Sequence, residues 1–137
     1  MAGYSGTPLA KKLGIKENFR LFLFDAPKTL RADLGDLPPN VRTAAKLDAK
    51  PFDLIMLFAT TERVLKQQFT RLMKTLNQNG MLWVAWPKKS SGVETDLSFD
   101  VVQRLGLAAG LVDVKICAVD ETWSGLKFVY RLKDRKK

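Results

Sequence analysis

Histidine is absent from this chain of 137 residues, and cysteine occurs once, as Cys117. The first absence removes the commonest general base and the commonest transition-metal ligand. The second excludes a disulfide framework and a zinc finger. No apolar run approaches the length of a membrane span, and Met1 leads into Ala-Gly-Tyr-Ser-Gly, not an apolar signal region. A cytoplasmic protein with no membrane partner is expected. Acidic residues are scarce as well: 14 Asp and Glu face 23 Lys and Arg, a formal net charge of +9. That excess favours anionic partners. The basic residues are dispersed, with only Lys11-Lys12, Lys88-Lys89 and Arg135-Lys136-Lys137 adjacent. Dispersion suits a solvated surface, so a small anionic molecule is the preferred partner and nucleic acid the less favoured one.

What is present suits one domain over 1–137: an arm and short helix over 1–18, a core over 19–132 and a basic tail over 133–137. Thr7-Pro8 opens the short helix, and Gly14 closes it. Phe19 to Phe24 and Phe52 to Phe58 are nearly continuous apolar runs. Continuity instead of alternation predicts strands covered on both faces, as in a parallel sheet. A short helix is expected over 29–37 and a peripheral strand over 41–47. Thr61 caps a helix whose stripe is Leu65, Phe69, Leu72 and Leu76. Ser98 caps another, with a stripe of Val101, Leu105, Ala108 and Val112 and a stop at Gly110. Val114 to Val119 and Leu126 to Leu132 then alternate around a Gly-containing loop, which predicts an antiparallel pair.

The most informative stretch is Gly80-Met81-Leu82-Trp83-Val84-Ala85-Trp86-Pro87-Lys88-Lys89-Ser90-Ser91-Gly92. It reads as a buried strand that delivers a polar, cationic loop to one sheet edge. Parallel strands with right-handed crossovers put all their C-terminal ends on one edge, where open α/β sheets bind ligands. Asp25-Ala26-Pro27, Ala59-Thr60-Thr61 and 87–92 then share that edge, and 120–125 joins them if the strand before it is parallel.

In type and order, Phe52-Asp53-Leu54-Ile55, 76–83, Ala109-Gly110-Leu111-Val112 and the terminal pair resemble the back half of a class I methyltransferase domain. The resemblance covers roughly 19–132 and implies a Rossmann-like α/β fold: a mainly parallel sheet, truncated at the front, with a C-terminal antiparallel pair. The opening Gly3-Tyr4-Ser5-Gly6-Thr7-Pro8-Leu9, with 86–92 and 120–125, is similar to an uncharacterised bacterial family known only as a domain of unknown function. That second resemblance spans nearly the whole chain and implies no activity. The class I pattern has a glycine-rich turn after its first strand, where backbone passes close to S-adenosylmethionine. Here that turn is Asp25-Ala26-Pro27-Lys28. With no glycine there and a short front half, no cofactor is expected, S-adenosylmethionine least of all. Asp48 offers itself as a stand-in for a ribose-binding carboxylate, with a plain loop carboxylate the preferred reading.

The candidate ligand site is Lys88, Lys89, Ser90 and Ser91 on one loop and Asp120, Glu121 and Trp123 on another. Lysines, hydroxyls and flexible backbone suit a phosphate or carboxylate. Trp123, in a polar loop, suits a planar group. No metal and no catalytic residue is assigned: Ser90 and Ser91 lack a histidine to activate them, and Cys117 reads as inert packing. The preferred reading is a non-catalytic module binding an anionic or planar ligand at the strand edge. A reduced transferase-type enzyme and a basic protein that contacts nucleic acid or an acidic partner are the alternatives.

Overall fold

The computed structural model describes residues 8–48 and 50–135. The lead-in over 3–7, with its Thr7 cap, lies outside the described residues. Strands β1 (Arg20–Phe24), β2 (Arg42–Ala44), β3 (Phe52–Phe58), β4 (Leu76–Pro87), β5 (Leu111–Ala118) and β6 (Trp123–Tyr130) form one sheet in the order β2-β1-β3-β4-β6-β5. The first four run parallel. β6 is antiparallel to both β4 and β5, so β5 points the same way as β4. The expected Rossmann-like sheet with a terminal antiparallel pair is therefore present.

Helices α1 (Leu9–Leu13) and α2 (Leu30–Leu34) cover one face, and α3 (Glu62–Met73) and α4 (Phe99–Ala109) the other. Successive residues of a strand point to opposite faces. In β3, Ile55 and Leu57 meet Leu65, Phe69 and Leu72 in one core, while Leu54, Met56 and Phe58 join Leu9, Leu13 and Leu30 in the other. This double burial explains the continuous apolar run, and each buried side chain contributes about 1.5–3 kcal/mol. Trp83 is fully buried against α1, and its indole N–H donates to the Leu13 carbonyl at 2.9 Å. The Thr61 and Ser98 hydroxyls cap α3 and α4 as expected, accepting from the N–H groups of Val64 and Val101.

Three details differ from the expectations. β4 begins at Leu76, not Gly80, so Leu76 belongs to the strand and not to the α3 stripe. The register jumps from Phe52↔Leu76 to Leu54↔Met81, and 77–80 bulges out. Gly80 is needed there, because a Cβ would lie 2.9 Å from the Asn77 and Asp53 carbonyl oxygens. In α4 the fully buried positions are Val102 and Gly106, one residue round from the expected stripe, and Ala108 is exposed. The Phe128 ring lies against Gly106 and draws that side of the helix onto the sheet. Val112 belongs to β5, an edge strand on which Val114 and Ile116 are about half exposed.

The chain leaves β1 through α2 toward β2 on one side of the sheet order. It leaves β3 through α3 toward β4 on the other side. The two helices lie on opposite faces, so the C-terminal ends of β1 and β3 flank a topological switch point. Among the described residues, no helix is long and apolar enough to cross a membrane.

Candidate functional site

At the switch point, β1 runs into Asp25-Ala26-Pro27. Asp25 is exposed and adopts φ 53°, in the left-handed region. Aspartate tolerates that conformation better than most non-glycine residues. The turn after β1 is thus made by an acid, whose exposed carboxylate stands at the C-terminal end of that strand. Opposite, buried Ala59 follows β3, its N–H donating to the Ala85 carbonyl at 3.0 Å. Thr60 follows, its carbonyl accepting from the Thr95 hydroxyl at 2.5 Å. Asp96 accepts from the Glu62 N–H at 2.7 Å. The segment 95–96 thereby closes the first turn of α3, whose free N–H groups would otherwise attract an anion.

Further along the same edge, β4 ends at Pro87 opposite Trp123 in register. The Lys88 N–H donates to the Thr122 carbonyl and its ammonium to the Asp120 carbonyl, both at 2.8 Å. The Asp120 carboxylate accepts from the N–H groups of Thr122 and Trp123, each at 2.8 Å. Ser91 donates to the Lys88 carbonyl at 2.6 Å and accepts from the Val93 N–H at 3.1 Å. Gly92 ends the turn over Lys89–Ser91 with φ 77°. Trp123 is half-buried, edge-on to Phe58. Lys89, Ser90 and Glu121 face solvent.

The structure thus brings Lys88, Asp120 and Trp123 together, and sets Lys89 and Ser90 beside them on the following turn. Asp120 and Ser91 use their side chains to shape their own loops. Sequence reasoning missed Asp96 and Thr95, which act on a helix more than thirty residues earlier; no local signal marks them. Asp48 is not at this edge. It pairs with the Arg20 guanidinium beside the start of β1. The Lys50 N–H, followed by the Arg20 guanidinium, holds its carboxyl below the usual range. The reason is that the chain after β2 turns back toward the N-terminal edge before β3 begins. Cys117 is partly buried; burial pushes its thiol up, against the pull of Lys12 and Lys115, which suits packing. Among the described residues no cluster of three or more Cys, Asp and Glu side chains is placed to hold a metal ion.

No family model matches the chain, and no curated protein matches its sequence. Solved structures do match. A SAM-dependent methyltransferase from Aquifex aeolicus is 14% identical, with a TM-score of 0.59 over 88% of this chain and 86% of that one. The fibrillarin pre-rRNA processing protein of Methanococcus jannaschii is 12% identical, with a TM-score of 0.61 over 94% and 71%. Magnesium protoporphyrin IX methyltransferase from Synechocystis PCC 6803, with bound SAH, is 8% identical, with a TM-score of 0.55 over 90% and 78%. Likeness at these identities establishes the fold: this chain has the architecture of class I methyltransferases.

The expectation of no cofactor, and of no S-adenosylmethionine in particular, is corrected by these neighbours. Of the neighbours named, the Aquifex aeolicus protein is a SAM-dependent methyltransferase and the Synechocystis methyltransferase holds SAH in its crystal structure. The expectation rested on the missing glycine, where backbone passes close to the cofactor, and on the short front half; at that turn Asp25 adopts the positive φ itself.

Proposed function

We propose that this chain is a methyltransferase-like domain that binds S-adenosylmethionine in the crevice between the C-terminal ends of β1 and β3. The observation that carries the reading is the switch point, where α2 and α3 diverge to opposite faces behind the Asp25 turn. Ligands of open α/β sheets bind at such points.

The residues there fit the cofactor in kind. Asp25 offers an exposed carboxylate for the hydroxyl or amino groups of the cofactor. Ala26 and Ala59 are small and leave backbone within reach. When bound, the cofactor supplies an electrophilic methyl group on a sulfonium. The acceptor side of the site is the neighbouring wall. Lys88, Lys89 and Ser90 favour an anionic acceptor, Ser91 and Asp120 hold the two loops in shape, and Glu121 and Trp123 border the opening, the indole suiting a planar group.

A second reading is a module that binds such ligands without transferring anything. It is favoured by the bonds that occupy the edge: the Asp120 carboxylate serves two backbone N–H groups, and the Lys88 ammonium serves the Asp120 carbonyl. Those groups are then not poised as acid and base.

Calorimetry with S-adenosylhomocysteine tests the proposal. The parent should bind with a micromolar dissociation constant, about −8 kcal/mol. Asp25→Asn keeps a residue that tolerates positive φ and should bind about tenfold more weakly with unchanged folding. No binding by the parent defeats the proposal. Equal binding by both proteins moves the cofactor away from the β1 turn. Methyl transfer to an anionic acceptor separates the enzyme from the binding module.

A further inference from the structure

The opposite edge of the sheet carries a second feature, independent of the crevice. A cavity of about 510 Å³ opens where β1, β2, β3 and β4 begin, with Asn18, Asn40, Arg42, Lys50, Asp53 and Asn77 on its walls. Its volume lies in the usual range for small-molecule sites, about 300–1,000 Å³. Phe19 and Pro51 add apolar surface.

Arg20 organises this edge from within. Its guanidinium donates to the Lys50 carbonyl at 2.6 Å, pairs with Asp48 and lies 4.2 Å over the Phe52 ring. Its backbone N–H donates to the Asp53 carboxylate at 2.8 Å. Arg20 thus pins the segment before β3 and pairs with Asp48, while its backbone N–H holds the Asp53 carboxylate in place. Two cations are left facing the cavity. Arg42 and Lys50 are exposed, and among the described residues neither side chain has a hydrogen bond or ion pair.

Amides flank them. The Asn18 N–H donates to the Pro39 carbonyl at 2.9 Å, which locks the turns holding Asn18 and Asn40 side by side. Both residues have positive φ, 68° and 62°. The Asn77 side-chain carbonyl accepts from the Asn79 N–H at 3.1 Å, so its amide NH2 remains to donate. The lining therefore offers cationic and amide donors, with the Asp53 carboxylate as its one charged acceptor among the described residues.

We propose that this cavity binds a small metabolite bearing an oxyanion, a phosphate or a carboxylate. Arg42 and Lys50 hold the anionic group, and the asparagine amides hold its remaining oxygens. Asp53 turns toward a hydroxyl or amine at the other end of the ligand. The site stands apart from the methyltransferase-like crevice and does not depend on it.

The test titrates the full chain with pyrophosphate and, separately, with citrate, following side-chain amide signals by NMR. Binding should shift the amides of Asn18, Asn40 and Asn77 and saturate. Arg42→Gln and Lys50→Gln should each weaken binding about tenfold. The tighter probe identifies the group as phosphate or carboxylate, and either supports the site. If Arg42→Gln fails to fold, Lys50→Gln decides alone, because that residue is exposed in a loop. Failure of both probes to shift these amides overturns the proposal. So does parental affinity in the variants, or shifts confined to the Lys88–Lys89 loop.

Discussion

Trp123 stands edge-to-face on Phe58, with ring centroids 5.1 Å apart and planes at 82°. The contact joins the start of β6 to the end of β3 across β4, because Trp123 pairs with Pro87 and Phe58 with Ala85. It ties the loop that holds Asp120 and Trp123 to the C-terminal end of β3. Trp123→Ala should cost about 2–3 kcal/mol, less than a fully buried tryptophan, and Trp123→Phe should recover most of it. Urea unfolding measures both. A loss below about 0.5 kcal/mol for Trp123→Ala would show that the ring adds nothing to this junction.

Gly106 sits where α4 meets β6. An added Cβ would lie 2.0 Å from the Phe128 ring. Alanine favours helices by about 1 kcal/mol over glycine, but the overlap outweighs that gain. Gly106→Ala should therefore destabilise by about 2–3 kcal/mol. Adding Phe128→Leu should restore part of the loss, because the smaller side chain leaves room. A thermal melt in which Gly106→Ala matches the parent would contradict the packing described.

The Asp120 carboxylate satisfies two N–H groups of its own loop. Asp120→Ala should cost about 1–2 kcal/mol and loosen the loop. Asp120→Asn keeps one acceptor oxygen and should lose less. Amide exchange at Thr122 and Trp123 reports the change directly, and unaltered protection in Asp120→Ala would sink this role.

Lys127 faces Lys115 across the antiparallel pair. Burial, then Lys115 and Lys16, lower its pKa below the ordinary 10.5. The cost of its charge is present at neutral pH in the folded protein. As pH rises through the lowered pKa toward 10.5, the folded state gives up the proton first and stability is gained. Lys127→Met should thus stabilise near neutral pH, by about 0.5 kcal/mol after solvent screening. Its advantage over the parent should shrink as pH approaches 10.5. An advantage that stays constant across that range would mean the gain is apolar packing and not relief of charge.

Much of the fold is legible in the sequence because double burial writes itself as uninterrupted apolar runs, as in Phe52 to Phe58 and Leu82 to Trp86. Thr61 and Ser98 announce their helices because capping is local chemistry. The edge shared by Lys88, Asp120 and Trp123 follows from handed crossovers only given that the strand before Asp120 runs parallel to β4, as β5 does. What was hidden depends on distant partners or on a single dihedral. Gly106 reads as a weak helix residue until Phe128 is brought against it. Asp25 reads as a missing glycine until its φ is known. Asp48 reads as a loop carboxylate, as it is, but its partner is hidden: the return toward β3 carries it to Arg20 at the other edge.

The central claim is that the crevice between β1 and β3 holds S-adenosylmethionine. The most direct measurement is a backbone NMR titration of the full chain with S-adenosylhomocysteine. The account predicts saturable shifts centred on Asp25-Ala26 and Ala59-Thr60, with smaller ones at Trp123. Shifts centred on Asn18, Asn40 and Arg42 at the opposite edge, or no shifts up to about 1 mM, weaker than about −4 kcal/mol, would contradict it.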